Sequence, residues 1–214
     1  MTNFIPIFPL NIVVFPGEPL NLHIFEPRYK QMIQDCLAEK KPFGLPPVVG
    51  SSLLNELGTL LEIEELVQTH ENGNVDIRTR GTAVFRILHR MPAIPDKLYE
   101  GAIVNYPENI SDPGDSHISK TIVQEVKRLF ALLDVSEKFP KDKEDMRSYE
   151  IAHLVGLTLQ EEYELLGLFS ELQRLEYLRR HLNRIVPIIQ QLESLKDRIQ
   201  RNGHFRDLSL GDLS

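Results

Sequence analysis

The chain has 214 residues, enough for one large domain or two small ones with cores of their own, and its single cysteine rules out an internal disulfide. Acidic residues outnumber basic ones by 31 to 24, a formal charge of −7, which argues against a general nucleic-acid binder because neutralising phosphates takes a basic face. The longest apolar runs fall far short of the roughly 20 residues that span a bilayer, and Met1 is not followed by a basic and then an apolar region, so a cytoplasmic chain with no membrane partner is expected.

The first element is IPIFPLNIVVFPGEPLNLHIFEPRY, residues 5 to 29, in which five prolines interrupt a β-forming run. Proline gives no N–H to a ladder and is confined to strand starts, edges and bulges, so this stretch predicts short extended pieces that turn corners. Leu20, Leu22 and Ile24 share one face of such a piece. Pro27 then suits a first helical position, and Tyr29, Met32, Ile33, Cys36 and Leu37 recur at helical spacing until Lys40-Lys41-Pro42 ends the helix. Cys36 falls on the apolar side of that helix and reads as a buried structural thiol.

GLPPVVGSSLLNELG, residues 44 to 58, is more apolar than an ordinary loop. Its Leu53, Leu54 and Leu57 read either as an exposed polypeptide-contact surface or as leucines that complete the core. Two extended arms then flank the turn Glu71-Asn72-Gly73-Asn74, the signature of a hairpin.

At SDPGD, residues 111 to 115, the pattern changes from period 2 to period 3.6. Ile118, Ile122, Val123, Val126, Leu129, Phe130 and Leu133 form one helical stripe. A short helix is expected around Tyr149 to Val155, ending at Gly156, and Thr158-Leu-Gln-Glu161 has the form of a capping box. A long helix follows from Ser170 to about Arg201. Its residues Leu175, Leu178, Leu182, Ile185, Ile189, Leu192 and Ile199 alternate by three and four, broken by Lys196 and complicated by Pro187. The outer part, Ile189, Leu192 and Ile199, is the candidate seam for a homodimer, and the rival reading is that the whole stripe is intramolecular core. Arg174, Arg179, Arg180 and Arg184 form a basic streak on this helix that Glu171 and Glu176 are spaced to neutralise on a solvent face. The expected division is 1–112 for the β-rich part, 113–201 for the helical part and 202–214 for a flexible tail.

Chemistry-bearing motifs are few. No G-x-x-x-x-G-K-[ST] loop or G-x-S-x-G elbow is present, and the seven histidines show no metal-ligand spacing, so no catalytic residue, cofactor or metal is expected. The acid pairs Glu64-Glu65 and Glu161-Glu162 read as solvated faces.

IPIFPLNIVVFPG, PLNLHIFEPRYKQMI, Phe43-Gly44, GTLLEIEEL, RGTAVFRIL and the later LTLQEEYELLGLFSELQRLEYLRRHL together resemble the N-terminal substrate-binding domain of the ATP-dependent protease Lon, over roughly residues 4 to 190. The resemblance implies an α+β fold: a PUA-like bent antiparallel β pseudo-barrel with an embedded helix, followed by a helical subdomain with a long C-terminal helix. Leu-Pro-Pro after Gly44 departs from the β-branched strand usual in the family, leaving that strand's register open. The family's ATPase and Ser-Lys proteolytic domains have no counterpart in these residues. The expectation is therefore a stand-alone, non-enzymatic module that binds unfolded or partner polypeptide, with a separate protease as the candidate recipient of its cargo. The alternatives are a PUA-like RNA-binding module, favoured if Arg78, Arg80, Arg86 and Arg90 gather on a face uncovered by acids, and an uncharacterised hydrolase.

Overall fold

The computed structural model of the chain describes residues 3–50, 55–110, 116–140 and 146–207. The backbone groups into two compact units: residues 1–112 with 156–174, and residues 113–155 with 175–214. The stretch Gly156–Arg174 thus belongs with the β-rich unit, whereas the sequence reading placed it in the helical part.

The first unit holds an antiparallel sheet of six strands in which four of the five prolines of the opening stretch occupy strand ends, a turn and a helix start that tolerate them. Pro6 ends β1 (Asn3–Pro6), Pro16 precedes a turn in which Gly17 takes φ 91°, and Pro19 opens β2 (Pro19–Ile24). Pro27 begins α1 (Pro27–Glu39), where its missing N–H costs nothing, and Lys40 closes the helix in the left-handed conformation. β3 (Phe43–Leu45) is only three residues long, because Pro46-Pro47 ends it.

β4 (Leu57–Thr69) and β5 (Val75–Met91) form the expected hairpin, and β6 (Gly101–Asn105) completes the order β1-β6-β5-β4-β3, with β2 paired to the first half of β5. Register shifts along β4 and β5 bend the ladder at Leu60/Leu61, Ile63/Glu65 and Leu66/Gln68. The ends of the sheet meet through the Ile7–Gly44 bridge, where Phe8 N–H donates to the Gly44 carbonyl at 2.8 Å. The interior holds Phe8, Val14, Ile24, Phe43, Leu45, Leu61 and Ile77, against which α1 lays Tyr29, Met32, Ile33 and Cys36; Leu37 is half out in solvent. Gly81 is a point of close backbone approach, since a Cβ there would run into the Phe15 carbonyl.

After the last strand the chain is helical, as the change of period predicts. α2 is Ser116–Leu132, α3 is Ser148–Ala152, α4 is Leu159–Leu166 and α5 is Glu171–Asp207. Thr158 and Glu161 make the capping box at the start of α4. In the second unit α2 buries Ile122, Val123, Val126, Leu129 and Phe130, the last edge-on to Phe139 with centroids 5.6 Å apart, while Leu133 is exposed. α5 runs on through Pro187 and past Arg201, so the expected tail is helical as far as Asp207. The resulting architecture is α+β, as expected.

Candidate functional site

A cleft of about 480 Å³ opens in the β-rich unit where β1 runs past the C-terminal end of α1. Phe4, Pro6, Pro42, Leu60, Ile94 and Tyr106 give it apolar walls, and Asp35, Glu39, Lys41 and Lys97 give it a charged rim. Phe4 and Tyr106 are large aromatics left 48 % and 38 % exposed. Alternation on β1 explains the first: Ile5 points into the core at 4 % exposure, so its neighbour Phe4 must face out, where its ring covers the bare backbone of Gly101.

The rim is organised around Asp35. Its Oδ2 accepts from Lys97 Nζ and from the Tyr99 hydroxyl, both at 2.8 Å. The Lys97 hydrogen bond holds the Asp35 carboxyl below the usual carboxylate range, and burial pushes the Tyr99 phenol up. Cys36 lines the same cleft at 3 % exposure, and burial pushes its thiol up to about 12, so at neutral pH it is a protonated packing group.

The residues singled out in the sequence are dispersed. Leu53 and Leu54 lie outside the described residues. Leu57 is 9 % exposed: it opens β4 opposite Arg86, its N–H donates to the Tyr163 hydroxyl at 3.3 Å, and its side chain lies under Gly167. Leu57 is therefore core, which corrects the surface reading for that residue. On α5, Leu175, Leu178, Leu182 and Val186 are buried and Ile189 is half-buried, but Leu192 and Ile199 are 59 % and 62 % exposed.

The arginines separate the rival readings. Arg78 pairs with Glu65 at 2.8 Å, Arg80 pairs with Glu64, and Arg90 pairs with Glu100 at 2.6 Å, so three of the four candidate RNA-facing arginines are covered by acids. Arg179 and Arg180 both reach Glu176 at 2.7 Å, the expected solvated pairs. Arg174 is a correction: it is 1 % exposed, and its guanidinium donates to Glu171, Asn109 and the Leu168 carbonyl in the interior of the first unit.

Two features had no signal in the sequence. The cleft aromatics come from opposite ends of the sheet's chain path, and His23, His70 and Asp76 are brought together by strand register alone. Among the described residues no helix is long and apolar enough to cross a membrane.

Comparison with known proteins places this architecture. The Lon N-terminal domain protein from Xanthomonas campestris superposes with a TM-score of 0.66 at 23 % identity, covering 83 % of this chain and 98 % of that one. The N-terminal domain of Mycobacterium avium complex Lon protease superposes with a TM-score of 0.61 at 16 % identity, covering 85 % and 98 %. At these identities the likeness is one of fold. The family model described as the ATP-dependent protease La (LON) substrate-binding domain matches residues 5–184. That match spans the strands of the first unit and the helices as far as the first half of α5, and the chain belongs to the ATP-dependent protease La (LON) substrate-binding domain family.

Proposed function

We propose that this chain is a non-enzymatic module that binds extended, apolar polypeptide segments in the cleft between β1 and α1. The observation that carries this reading is the pair of exposed aromatics, Phe4 and Tyr106, in a cleft with apolar walls and a charged rim. Burying such surface favours an apolar segment by roughly 25 cal/mol per Å², and rim charges orient its polar backbone and flanks. Family membership supports the same class of partner, and delivery of the bound chain to a separate protease is the role it suggests. Pairing of three of the four candidate arginines with Glu64, Glu65 and Glu100 weighs against the RNA-binding alternative.

The test is fluorescence anisotropy of a labelled, permanently denatured polypeptide titrated with the chain. Replacing Phe4 and Tyr106 together with Ser is expected to weaken binding by about thirtyfold, since two aromatic anchors each contribute on the order of a kcal/mol and about 1.4 kcal/mol is tenfold. Unchanged affinity in a folded double variant overturns the site. Leu53→Ser with Leu54→Ser asks the same of the apolar stretch 44–58. The purified chain should neither hydrolyse ATP nor cleave casein, and turnover that copurifies with it counts against a non-enzymatic module.

We also propose that the outer half of α5 pairs with a second copy of itself. Ile188, Leu192, Leu195 and Ile199 stand exposed on a helix whose apolar spacing is that of a self-pairing seam, flanked by the Glu193–Lys196 ion pair at 3.4 Å.

A further inference from the structure

Three adjacent strands bring His23, His70 and Asp76 to one end of the sheet. β5 lies between β2 and β4, and His23 on β2 is directly opposite Asp76 on β5. His70 follows the last paired residue of β4, Thr69, whose partner is Val75. The turn holds it there: His70 N–H donates to the Asn74 carbonyl at 2.8 Å, Gly73 N–H donates back to the His70 carbonyl at 2.9 Å, and Gly73 takes the positive φ, 76°, that the turn demands.

The result is one carboxylate with an imidazole on each oxygen. His23 Nδ1 lies 2.5 Å from Asp76 Oδ1, and His70 Nε2 lies 2.7 Å from Asp76 Oδ2. The three side chains offer ligand atoms that all lie within 4.8 Å of one another. Tetrahedral ligands at about 2.0–2.1 Å from a zinc ion are about 3.4 Å apart, so each histidine–carboxylate contact lengthens by less than about 1 Å while the widest separation in the group closes, adjustments that small side-chain rotations supply.

We propose that His23, His70 and Asp76 form a binding site for a divalent late first-row transition ion, with Zn²⁺ as its probe. Two imidazole nitrogens and one carboxylate suit zinc, cobalt, nickel or copper, whereas calcium and magnesium take oxygen ligands. The side chains are 51 %, 32 % and 33 % exposed for His23, His70 and Asp76, which leaves coordination positions open to water. An outer partner is in place as well. Asn74 Nδ2 lies 3.2 Å from His23 Nε2, and with the amide turned over its oxygen accepts the Nε2–H of an imidazole coordinated through Nδ1. A bound ion would clip the tip of the β4–β5 hairpin to β2.

The plain rival is a hydrogen-bonded His–Asp–His trio with no use for metal, and titration of the full chain, free of any purification tag, separates the two. Zn²⁺ is expected to bind one per chain with micromolar affinity by calorimetry. His23→Ala, His70→Ala and Asp76→Asn should each weaken binding by at least about tenfold, the loss that follows when a metal ligand or its support is removed. His89→Ala, on an exposed position of β5 far from the hairpin tip, should bind like the parent chain. Imidazole ¹H–¹⁵N spectra of the unsubstituted chain provide a readout that no variant's folding can spoil: Zn²⁺ should shift the signals of His23 and His70. No binding at millimolar Zn²⁺, unchanged affinity in any of the three ligand variants, or shifts confined to other histidines overturns the site.

Discussion

The Arg174 guanidinium donates to Asn109 Oδ1 at 2.8 Å, across 65 residues of sequence and inside the protein. The same guanidinium reaches Glu171 at 2.8 Å, and the two side chains are 1 % and 6 % exposed. Around them Ile110 N–H donates to the Phe169 carbonyl at 2.8 Å and Glu171 N–H to the Ile110 carbonyl at 3.1 Å. The segment after β6 is thereby stitched to the start of α5. Arg174→Met is expected to destabilise the fold by about 3–5 kcal/mol, because it leaves the Glu171 carboxylate buried without its guanidinium. Urea unfolding measures this. A loss below about 1 kcal/mol, the worth of an exposed pair, would show that the interior position matters little.

Cys36 should be inert in the native state. Its thiol is pushed up to about 12 by burial, so almost no thiolate exists at pH 8, and α1 packs it at 3 % exposure. A chromogenic disulfide reagent is expected to react with it only as the chain unfolds, at the rate of unfolding. Prompt stoichiometric reaction of the native chain contradicts this packing.

The cluster of Asp35, Lys97 and Tyr99 makes a signed prediction about pH. Hydrogen bonds from Lys97 and Tyr99 hold the folded-state carboxyl of Asp35 below its ordinary value, so the group binds its proton more readily in the unfolded chain. Its stabilisation is therefore complete above about pH 4, the usual carboxylate range, and is lost as pH falls through the lower folded-state value. The urea midpoint of Asp35→Asn should lie below that of the parent chain at pH 6, and the gap should narrow toward pH 3. A gap that stays constant or widens on acidification gives Asp35 the wrong sign.

Local chemistry made much of this fold readable. Pro6, Pro16, Pro19 and Pro27 could occupy only strand ends, a turn and a helix start, and Gly73 within Glu71–Asn74 announced the hairpin. What stayed hidden depends on partners distant in sequence. Glu171–Arg174 and Glu176–Arg179 have the same spacing, yet the first is buried and the second exposed, and the Arg174 contacts with Asn109 and the Leu168 carbonyl, distant or irregular in sequence, mark the buried one. Leu57 looked like loop because Pro46-Pro47 cut β3 short, but β4 begins at that residue and Gly167, the residue that caps α4, lies against it. The histidine pair was invisible for the same reason. His23 and His70 are 47 positions apart in sequence and meet only because β2 and β4 flank β5 in a particular register.

Self-association through α5 is the last prediction. The helix buries Leu175, Leu178, Leu182 and Val186, and then its apolar stripe emerges: Ile188, Leu192, Leu195 and Ile199 are all about half or more exposed. From Ile188 to Ile199 this stripe is roughly 17 Å long at about 1.5 Å per residue, three turns of helix. A strip that short sustains a reversible dimer rather than an obligate one. Light scattering should therefore find a mass that rises from monomer toward dimer as concentration reaches tens of micromolar. Leu192→Ser with Ile199→Ser should hold the chain monomeric without lowering its stability by more than about 1 kcal/mol, since both side chains already face solvent and substitutions at such positions cost little. A chain that remains monomeric throughout, or a double variant that dimerises as well as its parent, would mean that the exposed stripe is not a seam between copies.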